Sequence, residues 1–458
     1  MGSDARGERP LFAIVGSGPS GFFAASHLLD AGACVDMFER LPAPYGLVRY
    51  GVAPDHQKIK SIEAAFAQTA SHANFRLLAN CEVGASPLSV AELLGAYDGV
   101  ILACGASAES LLGIDGESLD GTISARAFAS WYNSHPDWSG AQFKLRGSHA
   151  VIIGHGNVAL DVARMLLADP TELTKTDISP AALTAIQASG IRKVTLIGRR
   201  SPLEAKFTPS ELKAISKLPG VQVRLDPHDF SASRNSLKRS MGADAAACQV
   251  LYERILAEPG QIDAKVLEIM FHWAPIAIVG RGHVQGLRLE RTAQWPADAH
   301  KPGFRTTGEF REIPCEVVFR STGARGRPLP GVPFDATRGI VPNAGGRVLD
   351  NERPLPGLYV TGWLKRGASG TIGTNRVDSL ETVTAAMHDL ANVGPSVKEG
   401  LAAVCLARPT TMTMQDWRIV NQKELITGAV HRRVRLKYAT VGEILCGAGK
   451  TGGLPSGS

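Results

Sequence analysis

Three glycines and one acidic residue near the start of the chain have the types and spacing that bind a dinucleotide. Gly16, Gly18 and Gly21 follow a short apolar run, and Glu39 lies about 20 residues further on. The first glycine allows a tight turn, the second lets the backbone approach a pyrophosphate, and the third lets a helix pack closely on a strand. A helix that begins at this turn directs its N–H groups and positive dipole end at the phosphates. Glu39 is placed to accept hydrogen bonds from a ribose diol.

A second glycine turn repeats this chemistry with one difference. Gly154-His155-Gly156-Asn157 follows another apolar run, and the third small residue is Ala159. The next apolar run ends on Arg199 and Arg200 instead of on an acid. Because planar guanidinium groups bind phosphate bidentately, this pair suits a ribose that carries a 2′-phosphate. The residues therefore predict FAD or NAD at the first turn and NADP(H) at the second.

Both turns require a strand before them and a helix after them. The pattern predicts the strand Leu11–Val15 before the first turn and a helix that reaches Leu29. The second turn lies within Ser148–Leu167, and the strand Lys193–Ile197 precedes the arginines. Arg40–Lys60, rich in Pro and Gly, is predicted to be a long functional loop up to a helix near Lys58. Other predicted strands are Phe75–Leu78, Cys81–Val83, Gly99–Cys104, Met270–Val279, Gly286–Arg291, Val317–Arg320 and Leu358–Val360, and other predicted helices are Pro209–Lys217 and Asn375–Leu390.

Composition narrows the class of protein. A length of 458 residues indicates two or three domains, and a formal net charge of +6 without interleaved Lys, Arg and aromatic residues does not indicate a nucleic-acid binder. No apolar run is long enough to span a membrane, and the N-terminus lacks a secretion signal, so we expect a cytoplasmic protein or one already trimmed. The seven cysteines form no CxxC pair, which argues against a zinc ribbon, an iron–sulfur cluster or a dithiol centre, and we expect no metal site.

At this point the sequence resembles the adrenodoxin-reductase-like ferredoxin–NADP reductases, a family of FAD enzymes. The resemblance extends over nearly the whole chain, and two blocks are far more specific than either glycine turn: the loop at 42–60 and the segment at 362–383. The matching blocks are GSGPSG at 16–21, PAPYGLVRYGVAPDHQKIK at 42–60, GHGNVALDVARMLL at 154–167, GRRSPLEAKFTPSEL at 198–212, STGARGRPLPGVPFD at 321–335 and GWLKRGASGTIGTNRVDSLETV at 362–383.

The resemblance implies a role for individual residues. In the family the first fold holds FAD, and the matching positions here are Gly16, Gly18, Ser20, Glu39, Leu47, Val83, Trp363, Gly370, Thr371 and Ile372. The second fold holds NADP(H), with Gly154, His155, Gly156 and Asn157 at the pyrophosphate, Arg199 and Arg200 at the 2′-phosphate, and Glu211 and Gly370 near the nicotinamide. His56 and Glu211 are the implied catalytic pair, which would position the nicotinamide or relay a proton.

The implied fold is α/β, with two Rossmann-like domains and the NADP domain inserted into a discontinuous FAD domain. The expected boundaries are 1–107 and 325–458 for the FAD domain and 108–324 for the NADP domain. The implied activity is hydride transfer from NADPH to FAD, followed by single-electron transfer to an acidic 2Fe-2S ferredoxin that feeds a haem monooxygenase. The lack of a mitochondrial presequence favours a bacterial-type enzyme.

A basic docking face for the acidic ferredoxin is also expected. Its candidate residues are Arg234, Lys238, Arg239 and the run 431–437, although an ordinary solvated face explains them equally well. Three alternative functions stay open. A non-catalytic flavin-binding or interaction protein would bind a flavin that NADPH fails to bleach under anaerobic conditions. A glutamate-synthase small-subunit-like electron-transfer flavoprotein would be expected to show cysteine-rich cluster motifs near its N-terminus, which this chain lacks. A flavin-dependent NADPH oxidase or monooxygenase would oxidise NADPH rapidly without another acceptor.

Overall fold

The computed structural model describes residues 9–230, 242–294, 303–394 and 396–450, and the chain divides into two compact units. Unit 1 comprises Met1–Ala108, Asn133–Ser139 and Ala324–Ser458, and unit 2 comprises Glu109–Tyr132 and Gly140–Gly323. The short segment Asn133–Ser139 clusters with unit 1, which differs from the single uninterrupted insertion expected from the sequence.

The secondary structure of the described residues alternates strands and helices in the first part of each unit. The strands are β1 Leu11–Val15, β2 Cys34–Glu39, β3 Phe75–Ala79, β4 Gly99–Leu102, β5 Ala108–Glu109, β6 Thr122–Ser124, β7 His149–Ile153, β8 Lys193–Ile197, β9 Val221–Leu225, β10 Lys265–Met270, β11 Trp273–Gly280, β12 Val284–Gln294, β13 Phe304–Pro314, β14 Val317–Arg320, β15 Ala324–Arg325, β16 Asn343–Ala344, β17 Arg347–Asp350 and β18 Arg353–Val360. The α-helices are α1 Pro19–Asp30, α2 Leu47–Tyr50, α3 Gln57–Lys60, α4 Glu63–Thr69, α5 Val90–Ala96, α6 Ala125–Tyr132, α7 Asn157–Leu167, α8 Pro170–Leu173, α9 Pro180–Gln187, α10 Pro209–Ser216, α11 Ala243–Ala257, α12 Trp363–Arg366, α13 Ile372–Val393, α14 Ala402–Leu406, α15 Met414–Val430 and α16 Val441–Gly447.

Unit 1 is built on a sheet whose described strands lie in the order β16-β17-β18-β4-β1-β2-β3. The pairs from β18 to β3 are parallel, whereas β16, β17 and β18 pair antiparallel. All five residues of β1 are buried, as expected of a central strand covered on both faces. Helices α1 and α13 pack against one another beside this sheet, which brings the C-terminal part of the chain next to the first glycine turn.

Unit 2 has a second parallel sheet, with its described strands in the order β6-β14-β7-β8-β10-β9. A separate antiparallel sheet, β11-β12-β13, belongs to the same unit. Strands β5 and β15 pair as a two-stranded sheet. The two parallel sheets with crossover helices confirm the predicted fold class.

One predicted strand is wrong, and another begins too early. Cys81–Val83 is irregular, because β3 ends at Ala79 and the next residue, Asn80, has φ of +57°, a left-handed conformation that stops a strand. The strand predicted at Met270–Val279 is observed as β11, but it begins only at Trp273, because Phe271 and His272 separate it from β10, which ends at Met270 in another sheet. His272 has φ of +62°, a left-handed conformation that stops a strand.

The helix predicted at Asn375–Leu390 is longer at both ends, and the long loop contains the short helix α2, which the sequence did not predict. Among the described residues, no helix has the length and apolar character needed to cross a membrane.

Candidate nucleotide-binding sites

The first glycine turn joins β1 to α1 in unit 1. Gly16 has φ of +109°, and a Cβ on it would lie 2.5 Å from the carbonyl oxygen of Ala103. A Cβ on Gly21 would overlap the carbonyl oxygen of Gly16, so both positions require glycine. Gly18 is different, because it caps α1 without a side-chain hydrogen bond, and a Cβ there would meet no described atom within 4 Å. The N-terminus of α1 is therefore open to an anion, and this cradle fits a pyrophosphate.

Glu39 lies at the end of β2 beside this turn, as the spacing predicts. Its carboxylate accepts hydrogen bonds from the Ser17 N–H (2.9 Å), the Ser17 hydroxyl (2.7 Å) and the Leu41 N–H (2.9 Å). A carboxylate has about four acceptor positions, so a ribose would share this group with the protein. Binding of a ribose by Glu39 stays a prediction, and the observed role of Glu39 is to hold the turn.

The long loop after β2 approaches the same turn. The Tyr45 N–H donates to the carbonyl oxygen of Ser17 (3.0 Å), and Gly46, at φ +49°, comes so close that a Cβ on it would lie 2.9 Å from the Cα of Gly18. Leu47 begins α2 directly afterwards, and 36% of its surface is exposed. The loop thus presents Leu47 beside the glycine turn, which is where the resemblance predicts flavin contact.

The segment 362–375 reaches the turn from the C-terminal side. Gly362, at φ +72°, lies against the side chain of Ser20, whose hydroxyl donates to Asn375 Oδ1 (3.0 Å). Trp363 is partly exposed and donates its indole N–H to the carbonyl oxygen of Ser369 (3.1 Å). These contacts place Ser20 and Trp363 in one region of unit 1, next to the beginning of α13.

The beginning of α13 carries three further predicted residues. Gly370 (φ +79°) and Thr371 are exposed, and Ile372 is the first residue of the helix. The Thr371 N–H donates to the hydroxyl of Thr374 (3.1 Å). A helix of this length concentrates positive potential at its N-terminus, which suits a ligand edge that becomes negative.

The second glycine turn joins β7 to α7 in unit 2. Gly154 has φ of +133°, and a Cβ on it would overlap the carbonyl oxygen of Ser321. Gly156 caps α7 without a side-chain hydrogen bond, and a Cβ there would meet no described atom within 4 Å. The Asn157 side chain accepts a hydrogen bond from the Thr208 N–H (2.8 Å), which fixes the following loop. This cradle also fits a pyrophosphate.

His155 does not direct its side chain at that cradle. Its ring lies in the core of unit 2, with its centroid 4.8 Å from that of Phe271, and covers Gly198 so closely that a Cβ there would overlap the imidazole. Burial lowers the pKa of His155 to about 4, so the ring is neutral, and its buried Nε2 has no hydrogen-bond partner in the described part of the chain. Any contact of His155 with a pyrophosphate is therefore restricted to its main chain.

Arg199 and Arg200 follow β8 and are exposed. The Arg199 guanidinium lies 4.7 Å from the centroid of the Phe304 ring, and its carbonyl oxygen accepts a hydrogen bond from the Thr292 hydroxyl (2.7 Å). The Arg200 carbonyl oxygen accepts from the His272 N–H (3.2 Å). Neither guanidinium forms an ion pair with any residue that the structure describes. The backbone is thus held while both charges stay available for an anionic ligand.

The remaining predicted residues lie in different units. Glu211 is buried on α10 of unit 2, where its carboxylate accepts from Arg164 Nη1 (3.1 Å). In unit 1, His56 is half-buried at the beginning of α3, and Val83 lies in the irregular segment after β3 and packs on the hydrophobic core. The joint role of His56 and Glu211 remains a prediction.

Sequence reasoning missed three residues that support these sites. Asn375 contacts Ser20, Arg164 holds Glu211, and Glu424 binds Arg49 of the long loop. Arg164 could have been identified from the sequence as a charged residue among the apolar positions of α7. No local signal connects Asn375 or Glu424 with partners more than 350 residues away.

Two open glycine cradles at helix N-termini, each on its own parallel sheet, define a class of oxidoreductases with two nucleotide folds. In agreement, residues 10–228 match the family model described as pyridine nucleotide-disulphide oxidoreductase. The relatives identify the family within this class. The chain is 40% identical to NADPH-ferredoxin reductase FprA of Mycobacterium tuberculosis over 95% of this chain and 99% of that protein. It is 38% identical to the human mitochondrial NADPH:adrenodoxin oxidoreductase over 95% of this chain and 91% of that protein.

A solved structure agrees with this assignment. The structure of FprA from Mycobacterium tuberculosis in complex with NADPH matches with a TM-score of 0.92 and 39% identity, and the match covers 96% of this chain and 100% of that one. The chain therefore belongs to the adrenodoxin-reductase-like family of ferredoxin–NADP reductases. It is an FAD-dependent oxidoreductase that uses NADP(H).

Proposed function

We propose that unit 1 binds FAD, that unit 2 binds NADPH, and that the enzyme transfers electrons from NADPH to an acidic 2Fe-2S ferredoxin. The observation that carries this assignment is the difference between the two strand ends. The first ends on Glu39, which suits free ribose hydroxyls, and the second ends on the unpaired cations Arg199 and Arg200, which suit a 2′-phosphate. The downstream acceptor of the ferredoxin would be a haem monooxygenase.

FAD supplies the chemistry, because a flavin accepts a hydride as two electrons and releases electrons one at a time. The protein would hold and orient the flavin. Gly18 and the N-terminus of α1 would receive the pyrophosphate, and Leu47 and Trp363 would border the ring system. The N-terminus of α13, which begins at Ile372, would stabilise negative charge at the N1/O2 edge of the flavin.

Unit 2 would orient the nicotinamide nucleotide in the same way. Gly156 and the N-terminus of α7 would receive its pyrophosphate, and the two arginines would hold its 2′-phosphate. Glu211, which pairs with Arg164, would contribute near the nicotinamide together with His56.

Fewer basic residues of the run 431–437 would be available to a ferredoxin than its composition indicates. Lys437 is buried and donates to the carbonyl oxygen of Arg49 (2.9 Å), and Arg435 pairs with Glu424 (3.1 Å), so these two cations hold unit 1 together. His431 and Arg432 remain exposed. Arg234, Lys238 and Arg239 lie outside the described residues.

The test is NADPH-dependent reduction of a panel of 2Fe-2S ferredoxins at ionic strengths from about 0.01 M to about 0.3 M. We expect kcat/KM for an acidic ferredoxin to fall several-fold over this range, because salt screens the attraction between exposed charges. Reduction of an uncharged quinone is the control and should change little. NADPH oxidation that is equally fast with oxygen alone would instead indicate an oxidase.

A further inference from the structure

The C-terminal helix α15 belongs to neither glycine turn, but it contacts the loop that leads to the first one. The helix begins with a capping box, in which the hydroxyl and the N–H of Thr413 both donate to the carboxylate of Asp416 (2.7 and 2.8 Å). Trp417 and Glu424, seven positions apart, lie on the same face of the helix. Each is only 1% exposed. This face therefore packs entirely within unit 1.

Glu424 forms a bidentate ion pair with Arg49 of the long loop. Arg49 Nη1 and Nη2 donate to its two carboxylate oxygens at 2.9 and 2.6 Å, and the side chains of Arg49 and Glu424 are 1% and 0% exposed. The guanidinium also lies 4.7 Å from the centroid of the Trp417 ring and 5.0 Å from that of Tyr50. Removing one partner of such a pair leaves a buried, uncompensated charge.

The C-terminal segment 424–438 makes further contacts around Arg49 of the long loop. Glu424 also accepts from Arg435 (3.1 Å) and from the Tyr438 N–H (3.0 Å), so all its acceptor positions are used. Lys437 donates to the main-chain carbonyl of Arg49 (2.9 Å). Burial would raise the pKa of Glu424, but the charges of Arg49 and Arg435 hold this pKa below its ordinary value, so the carboxylate stays ionised.

The long loop connects the Arg49–Glu424 ion pair to the first glycine turn. Arg49 lies on α2, which begins at Leu47 immediately after Gly46, and Gly46 contacts the backbone at Gly18. One residue earlier, Tyr45 hydrogen-bonds to Ser17, and its ring centroid lies 6.1 Å from that of Trp417. A continuous set of contacts therefore runs from Glu424 through α2 to the open cradle at Gly18.

We infer that Glu424 is a positioning residue for the flavin, acting through Arg49 on the loop that presents Leu47 and on the turn at Gly18. The inference rests on the proposed binding of FAD by unit 1. It assigns to the C-terminal helix a role in flavin affinity and flavin environment, although this helix contributes none of the residues predicted to touch the cofactor.

The test is Glu424→Gln in the full-length protein. A glutamine amide turns a donor towards the guanidinium and removes the charge, so it disrupts the bidentate pair. We expect the Kd for FAD to rise about tenfold, and we expect the visible circular dichroism of the remaining bound flavin to change. The matched control is Asp389→Asn, which removes another bidentate carboxylate of unit 1, paired with Arg347 (2.7 Å), near the far end of α13. The control should keep both flavin signals.

A double variant separates positioning from simple loss of folding. Arg49→Met with Glu424→Met replaces the buried pair by two apolar side chains, which restores packing without a buried charge at this position. Arg435 loses Glu424 but keeps Glu63 (3.6 Å) and Asn421 (2.5 Å) as partners. We expect this protein to unfold near the wild-type temperature and still to bind FAD more weakly. Wild-type FAD affinity and circular dichroism in Glu424→Gln or in the double variant would overturn the inference. Absence of FAD binding by the wild-type protein would instead overturn the proposed function.

Discussion

At the scale of single residues, we propose that the choice of nicotinamide cofactor depends on two cations that form no ion pair with the described residues. The Glu39 carboxylate accepts hydrogen bonds from Ser17 and Leu41. In contrast, neither guanidinium of Arg199 and Arg200 forms an ion pair within the described residues. An exposed guanidinium that forms no ion pair keeps its fork of N–H donors available for a phosphate, so binding the ligand breaks no ion pair within the protein. We therefore propose that the arginines are the residues that most directly separate NADPH from NADH.

We expect Arg199→Ala with Arg200→Ala to lower kcat/KM for NADPH by about 100-fold and to leave kcat/KM for NADH within about threefold, since charge-assisted bonds to a phosphate would be lost. Steady-state kinetics with both nucleotides measures this ratio. Arg224→Ala removes an exposed cation on β9 and serves as the control. An unchanged ratio in the double variant would contradict the assignment of the 2′-phosphate.

The burial of His155 predicts that the free energy of unfolding depends on pH. Its pKa is lowered to about 4 in the folded protein by burial, whereas an unfolded histidine has a pKa of about 6.5. Between these values the unfolded chain binds a proton that the folded chain does not, so the free energy of unfolding falls as the pH drops, by roughly 3 kcal/mol in total.

Thermal unfolding at about pH 7.5 and about pH 5 tests this prediction. The unfolding temperature of His155→Gln should fall less on acidification than that of the wild-type protein. His388→Gln, at a side chain that is 70% exposed, is the control. An equal fall in the wild-type protein and in His155→Gln would show that His155 is not the group responsible.

At the scale of elements, local patterns predicted the strands that precede the turns. The strands β1 and β8 have the predicted bounds, because short apolar runs ending on glycine are a strong local signal. The break at His272 was missed, since a left-handed residue inside an apolar run is set by tertiary contacts. The pair Arg49–Glu424 was missed because its members are 375 residues apart.

Replacing the two glycines of the second turn should have different effects, one on nucleotide affinity and the other on the stability of the fold. Gly156→Ala adds a methyl group at φ −100° into open space, so α7 should form normally while the Kd for NADPH rises about tenfold or more, because the methyl group fills the pyrophosphate cradle. Gly154→Ala collides with Ser321 at φ +133° and should destabilise the fold by about 2 kcal/mol or more.

Nucleotide titration together with thermal unfolding separates these two effects. Wild-type affinity for NADPH in Gly156→Ala would show that the nucleotide does not approach this turn.

At the scale of the whole molecule, the two units each carry one nucleotide fold, but the chain is not divided into three simple blocks. Asn133–Ser139 lies within the expected insertion and belongs to unit 1, where Asp137 pairs bidentately with Arg40 (3.0 and 2.6 Å). Lys437 donates to the carbonyl oxygen of Asn133 (3.3 Å). Excision of residues 109–323 would therefore remove part of unit 1 as well.

The central claim is that electrons pass from NADPH to enzyme-bound FAD and then to a ferredoxin. The most direct measurement is an anaerobic titration of the purified protein, monitored by the visible absorbance of the flavin. We predict that NADPH bleaches the flavin, that NADH does so far less efficiently, and that oxidised 2Fe-2S ferredoxin restores the absorbance. A bound flavin that NADPH does not bleach, or a reduced flavin that oxygen reoxidises rapidly and ferredoxin does not, would contradict the account.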